Sequence, residues 1–104
     1  MNTNNKFKKI NAYRLSQEIL RNKAVTKGVN LVAPETIFLS NDTIFGKNVT
    51  VEPYVVIGSK VIIGDNSYIK SFTHIEGTKI EKNVTVGPYA RLRPGTILKS
   101  NTKI

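Results

Sequence analysis

Large apolar residues recur along this chain with a period of six. From residue 39 they stand at every sixth position to residue 75, one step of five leads to residue 80, and steps of six resume to residue 104. These anchor positions are Leu39, Phe45, Val51, Ile57, Ile63, Ile69, Ile75, Ile80, Val86, Leu92, Leu98 and Ile104. A hexapeptide repeat of this kind is the sequence pattern of a parallel β-helix.

The other positions of the hexad fit the same register. The residue four places after an anchor is small or β-branched, except in the short hexad, where Lys79 is the misfit. Glycine follows several anchors, and Pro53, Pro88 and Pro94 each stand two places after one. We expect these Gly and Pro residues to form corners between short flat strands. Three hexads would close one triangular coil, and successive coils would stack as parallel strands about 4.8 Å apart.

The predicted fold class is therefore all-β, a parallel β-helix of hexapeptide repeats over residues 29–104 with about three to four coils. The alternative is a β-sandwich of short strands. Such a fold would show alternation with period two and hairpin turns such as Asn-Gly or Asp-Gly. The chain contains neither dipeptide, which favours the β-helix.

Residues 10–28 predict one short amphipathic α-helix before the repeats. Apolar side chains recur there at helical spacing, namely Ala12, Tyr13, Leu15, Ile19, Leu20 and Ala24. Asn11 is a candidate N-cap, and Gly28 is a residue that tolerates the left-handed stop of a helix. We expect the apolar stripe to pack on the β-helix. Residues 1–9 are polar and basic, and we predict a disordered tail there.

The positive charge is concentrated in this N-terminal segment. Of the chain's net charge of +9, residues 1–30 contribute +6, from seven Lys/Arg against Glu18 alone. Residues 31–104 contribute the other +3, from nine basic and six acidic residues. No zinc-finger or RNA-binding signature accompanies the basic segment, so a solvated basic helix is favoured over a nucleic-acid contact.

The remaining composition favours a cytoplasmic location. The chain has no cysteine, its apolar runs are far shorter than a membrane span, and its first ten residues lack the apolar core of a signal peptide. One histidine without cysteine makes a metal site improbable. We therefore expect no membrane contact and no metal.

Three stretches carry a resemblance to one family. "NAYRLSQEILRN", "VTVEPYVVIGSKVIIGDNSYI" and "VGPYARLRPGTIL" are similar to the linker helix and the first acetyltransferase coils of the bacterial bifunctional N-acetylglucosamine-1-phosphate uridylyltransferase/glucosamine-1-phosphate acetyltransferases. The resemblance covers roughly residues 10–104. It implies a left-handed coil, a homotrimer, and acetyl transfer from acetyl-CoA to glucosamine 1-phosphate between subunits.

The resemblance also assigns one site residue. By matching position in "LRPG", Arg93 corresponds to the family's arginine that contacts the phosphorylated sugar, whereas Arg91 is expected only to be exposed. A guanidinium can bind phosphate through two parallel hydrogen bonds. We expect this chain to bind a sugar phosphate weakly and to hold no cofactor of its own, with acetyl-CoA as the co-substrate of the family.

The departures from the family concern catalysis. The sequence lacks the uridylyltransferase half and its Gly-rich nucleotide loop, and Ile104 precedes the family's downstream lysine, tyrosine, asparagine and general-base histidine motifs. His74, in "SFTHIEG", lies in an earlier coil, and no carboxylate partner is apparent from its spacing. We therefore predict no catalytic residue in this chain and no activity of the chain alone.

Two further functions stay open. The chain could be a structural trimer module that completes another chain carrying the remaining coils. Alternatively, the basic helix could bind nucleic acid or other anions, with an affinity that falls steeply with salt.

Overall fold

The structure, a computed structural model, describes the backbone of residues 3–104 and the side chains of residues 5–104. One helix, α1 (Thr3–Thr26), precedes a solenoid of short strands, and a single 3₁₀ turn, Pro34–Thr36, lies within the first coil. In this part of the chain no helix is both long enough and apolar enough to cross a bilayer.

Twelve strands form three parallel sheets of four strands each in the described residues. Sheet A contains β1 (Asn30–Leu31), β4 (Thr50–Val51), β7 (Tyr68–Ile69) and β10 (Thr85–Val86). Sheet B contains β2 (Ile37–Phe38), β5 (Val55–Ile57), β8 (Thr73–Ile75) and β11 (Arg91–Leu92). Sheet C contains β3 (Ile44–Phe45), β6 (Ile62–Ile63), β9 (Lys79–Ile80) and β12 (Ile97–Leu98).

Each coil takes one strand from every sheet, so the solenoid has four coils. Neighbouring strands of a sheet are joined in parallel register, as in Thr50↔Tyr68 and Tyr68↔Thr85. The predicted parallel β-helix of hexapeptide repeats is therefore confirmed.

The anchors form the core, as the hexad pattern predicts. Ten of the twelve are buried, Phe45 is partly buried, and Ile104 is exposed. The second inward position lies two residues before each anchor. In the short hexad this position is Thr78, which is buried, while Lys79 points outward. The five-residue step therefore removes one corner residue and leaves the interior register intact.

Pro53, Pro88 and Pro94 lie at corners, as expected, and Gly95 makes one with φ +91°, but in most hexads a residue other than glycine makes the turn. The residue three places after an anchor has a left-handed backbone in most hexads, with φ between +57° and +67° at Asn48, Tyr54, Lys60, Asn66, Phe72, Asn83, Tyr89 and Asn101. Glycine has another role directly after several anchors. A Cβ at Gly64 would lie 2.6 Å from the backbone carbonyl of Glu81 in the next coil. At such positions glycine is required by the close approach of two coils.

Helix α1 begins earlier than the sequence indicates. It starts at Thr3, so residues 3–9, assigned above to a disordered tail, are helical, and Asn11 lies inside the helix and is not its N-cap. Residues 1 and 2 lie outside the described residues. The predicted stop is correct: Gly28 has φ +97°, its N–H donates to the carbonyl of Val25, and the N–H of Val29 donates to that of Ala24. This is a Schellman motif.

The predicted apolar stripe packs on the β-helix only at its C-terminal end, where Ala24 is buried in the core and Leu20 is packed against it. Leu15 and Ile19 are about three-fifths exposed (59% and 61%), whereas Gln17 is only 5% exposed. Its side-chain amide donates to the carbonyl of Leu39 and accepts from the N–H of Leu39, both at 2.9 Å. The Nε–H of Arg21 donates to the carbonyl of Ile37 at 2.8 Å. Because β2 is the edge strand of sheet B, the helix must supply polar partners to an unpaired backbone.

Carboxylates at the corners join one coil to the next. In each case a side-chain oxygen accepts a hydrogen bond from a backbone N–H in a neighbouring coil, at 2.7–3.2 Å. The pairs are Asp42 with Lys60, Glu52 with Ser71, Asp65 with Lys47, and Glu81 with Ser100. These bonds pair corner N–H groups that lie outside the strand ladders.

Replacing Gln17 by leucine should destabilise the whole chain. The backbone N–H and C=O of Leu39 would lose their partners while staying covered by α1, a loss of about 1–3 kcal/mol in the free energy of unfolding. Chemical denaturation followed by circular dichroism measures this. The matched control is Asn22→Leu, an exposed amide on the same helix, which should change stability by less than about 0.5 kcal/mol. Equal stability of the two variants would contradict this role of the glutamine.

The chain should lose stability in acid through three of these carboxylates. Hydrogen bonds from the Ser40 side chain and the Lys60 N–H lower the pKa of Asp42 below its ordinary 3.8. Bonds from the Tyr68 hydroxyl and the Ser71 N–H lower the pKa of Glu52 below 4.5, and the Ser100 N–H does the same for Glu81.

A carboxyl whose pKa is lower in the folded than in the unfolded state stabilises fully above the unfolded pKa, and that contribution is lost as the pH falls through the folded pKa. Unfolding free energies measured from about pH 6 to pH 2 should therefore be level above about pH 5 and fall below about pH 4.5. The variant D42N/E52Q/E81Q should have a shallower acid slope. Glu18→Gln, which removes a carboxylate with none of these inter-coil bonds, should keep the wild-type slope.

Candidate functional site

Four polar side chains lie close together on the outer surface of sheet B, at the end of its strands that leads to sheet C. Strands β8 and β11 are adjacent, with His74 beside Arg91 and Ile75 beside Leu92. Alternate residues of a strand point to opposite faces. Ile75 and Leu92 are buried, so the sheet B cluster, defined as His74, Glu76, Arg91 and Arg93, points outward.

Thr78 and Gly77 keep the two coils in register beyond the ends of the strands. The hydroxyl of Thr78 lies 2.7 Å from the carbonyl oxygen of Glu76 and 3.3 Å from that of Arg93. The N–H of Gly95 donates to the carbonyl of Gly77 at 2.9 Å. Glu76 and Arg93 are therefore direct neighbours on successive coils.

His74 has a carboxylate partner, contrary to the prediction from spacing. Its Nε2 lies 3.0 Å from Oε1 of Glu76, and both side chains are about two-fifths exposed (43% and 40%). The two residues are separated by one inward residue, Ile75, so they project from the same face of the strand. The alternation in "HIE" was a usable signal for this pair, and Glu76 is the site residue that the sequence analysis missed.

Arg93, the predicted sugar-phosphate contact, is exposed at the corner after β11. Arg91 is also exposed, as expected, and lies two residues away on the same face. Among the residues that the structure describes, neither guanidinium forms an ion pair, since the pairs present are His74–Glu76 and Lys99–Glu81. Two unpaired guanidinium groups on one face can bind an anion bidentately.

A column of stacked aromatic rings borders this surface. Tyr54, Phe72 and Tyr89 occupy the corner that leads from sheet A into sheet B in successive coils. Their ring centroids are 5.5 and 5.1 Å apart, and the planes are within 6° of parallel. Each of the three rings stays at least half exposed. The column therefore lies at the end of the sheet B strands away from Glu76 and Arg93, with Tyr89 two residues before Arg91.

The described residues offer binding groups and little else. They contain no group of three or more His, Asp or Glu residues placed to hold a metal ion. The Nε2 of the one imidazole, His74, lies 3.0 Å from a carboxylate oxygen of Glu76. Nothing in the structure tests the expected absence of a cofactor, which stays a prediction.

Comparison with known proteins supports the resemblance seen in the sequence. Residues 42–77 match the family model described as bacterial transferase hexapeptide (six repeats). The chain is 50% identical over 91 residues to the bifunctional protein GlmU of Xanthobacter autotrophicus, covering 88% of the chain and 20% of that protein. For the bifunctional protein GlmU of Azorhizobium caulinodans the identity is 46% over 101 residues, covering 97% and 22%.

A third relative, the bifunctional protein GlmU of Sphingopyxis alaskensis, is 49% identical over 88 residues, which are 85% of the chain and 20% of that protein. The chain therefore spans about one fifth of the length of the curated relatives that it matches.

Proposed function

Since this chain is homologous to the hexapeptide-repeat acetyltransferase region of the bacterial bifunctional protein GlmU, we propose that it forms part of an acetyltransferase domain and binds the phosphate of a sugar phosphate. The observation that carries the proposal is the exposed, unpaired guanidinium of Arg93 beside that of Arg91. Glucosamine 1-phosphate is the proposed acceptor and acetyl-CoA the proposed acetyl donor, as the resemblance implies.

The proposed role of Arg93 is binding, and the predicted affinity is low. A charge-assisted hydrogen bond contributes about 1.5–3 kcal/mol, whereas a dissociation constant of 1 mM corresponds to about 4.1 kcal/mol. Arg93 alone would thus give weaker than millimolar binding. The neighbouring charge of Arg91 and two-point contact with one phosphate would bring the affinity toward the millimolar range.

Acetyl transfer also requires that the acceptor amine lose a proton. A positioned general base typically contributes about 10²–10⁴-fold to such a step. We assign no such base to this chain, because its one imidazole, His74, lies in an earlier coil than the family's catalytic histidine. In the proposal, catalysis by this chain requires further coils, present in the same or in another polypeptide. The proposed compartment is the cytoplasm.

Removing the guanidinium of Arg93 should weaken phosphate binding about tenfold or more. A titration of the 104-residue chain with glucosamine 1-phosphate, followed by NMR chemical shifts, tests this. Lys82→Ala removes one exposed charge at a different corner and should leave the affinity unchanged. Equal affinity of Arg93→Ala and wild type would remove the basis of the proposal.

The 104-residue chain should release no free thiol from acetyl-CoA. Thiol release that disappears in Arg93→Ala would mean that catalysis is complete within these residues.

The proposed assembly is a homotrimer. Sheet C supports self-association, because three of the four outward residues in its column are apolar: Ile44, Ile62 and Ile97 are 58%, 41% and 56% exposed, and Lys79 lies between the last two. Exposed apolar columns of this kind commonly mark protein contacts. The corresponding outward residues of sheet A are more polar, for example Thr50 and Thr85.

Sedimentation equilibrium should give about three times the monomer mass of 11.6 kDa. Ile62→Glu should reduce the mass to that of a monomer, because a buried carboxylate without a partner opposes association. Thr50→Glu, the matched outward position of the same coil on sheet A, should leave the assembly intact. A monomeric wild-type chain would refute the trimer, and a trimeric Ile62→Glu variant would exclude sheet C as its contact.

A further inference from the structure

Glu76 is a potential competitor for the proposed anion site. It follows β8 at the position adjacent to Arg93, which follows β11, and the Thr78 hydroxyl contacts the carbonyl oxygens of both residues. A carboxylate at this place could pair with the guanidinium of Arg93 in place of a ligand phosphate. No such ion pair is present among the described residues.

The side chain of Glu76 lies toward the second coil, away from the fourth coil that carries Arg93. Gly58 follows β5 as Glu76 follows the adjacent strand β8, so the two residues are neighbours on successive coils. The N–H of Gly58 donates to the carbonyl of Ile75 at 2.8 Å. A Cβ built at Gly58 would lie 2.9 Å from Cγ of Glu76. Because glycine has no Cβ, the side chain of Glu76 has room to lie over Gly58, on the side away from Arg93.

His74 holds the far end of the same side chain. Its Nε2 lies 3.0 Å from Oε1 of Glu76, so the carboxylate is directed back along β8. The two restraints act together: Gly58 gives room for the glutamate stem on the second coil, and His74 binds the glutamate head on the third. Arg93, on the fourth coil, is left without a carboxylate partner.

We propose that Gly58 and His74 are positioning residues that hold Glu76 away from Arg93 and so keep the Arg93 guanidinium available to a phosphate group. This inference rests on the proposed function, because it concerns the same anion site. Losing either restraint lets the glutamate rotate toward Arg93 and compete with the ligand. Exposed ion pairs of this type change equilibria by about two- to fivefold, which is the loss of affinity expected.

The test is a titration of the full 104-residue chain with inorganic phosphate, followed through backbone amide chemical shifts, which every variant retains. His74→Ala and Gly58→Ala should each weaken phosphate binding about two- to fivefold. Glu76→Gln should bind at least as tightly as wild type, because a neutral amide does not compete for the anion site. The double variant H74A/E76Q should regain the affinity that His74→Ala loses. His74→Gln keeps a donor for Glu76 and should bind nearly as wild type.

The outcomes separate this inference from the proposed function. If wild type and Arg93→Ala bind phosphate equally, the anion site itself is wrong and the positioning role is rejected with it. If Arg93→Ala weakens binding but His74→Ala does not, or if H74A/E76Q fails to recover, the anion site stands and the positioning role is overturned. Should Gly58→Ala fail to fold, the histidine and glutamate variants decide the question alone.

Discussion

The structure depends on one constraint: each coil must pair its backbone with the coil on either side. Strands of two or three residues cannot stand alone, and their hydrogen bonds run between coils and not within them. The first coil has a neighbour on one side only. Helix α1 covers the other side, and Gln17 gives Leu39 the same donor and acceptor that another coil would give. The helix is in effect the terminal cap that repeat proteins require.

The interior was predictable because it repeats. A single spacing identified the buried anchors and the small residue that accompanies each, and even the irregular hexad kept its core through Thr78. The helix was less predictable for a physical reason. Apolar periodicity assumes that a helix packs on an apolar surface, as α1 does at Leu20 and Ala24. At Gln17 and Arg21 the helix instead covers the open edge of sheet B, where a buried amide stabilises more than an apolar side chain.

The site was only partly accessible from the sequence. Arg93 was found through a resemblance, since nothing in the hexad pattern distinguishes a binding arginine from a solvated one. Glu76 could have been found from strand alternation, which places it on the same face as His74. Gly58 could not, because its role depends on how a side chain in another coil folds, and that distance is not encoded in the local pattern.

The short hexad has a consequence for how such a chain can change in length. Between Ile75 and Ile80 a residue is missing, yet the strands before and after it keep their partners, in Ile57↔Ile75 and Ile63↔Ile80. The corner absorbed the whole deletion. A solenoid of this type can therefore lose a residue or gain a loop at a corner without changing the register of its buried residues. The outer surface and the inner core can then vary independently, so the corners are positions where a new binding loop can be added.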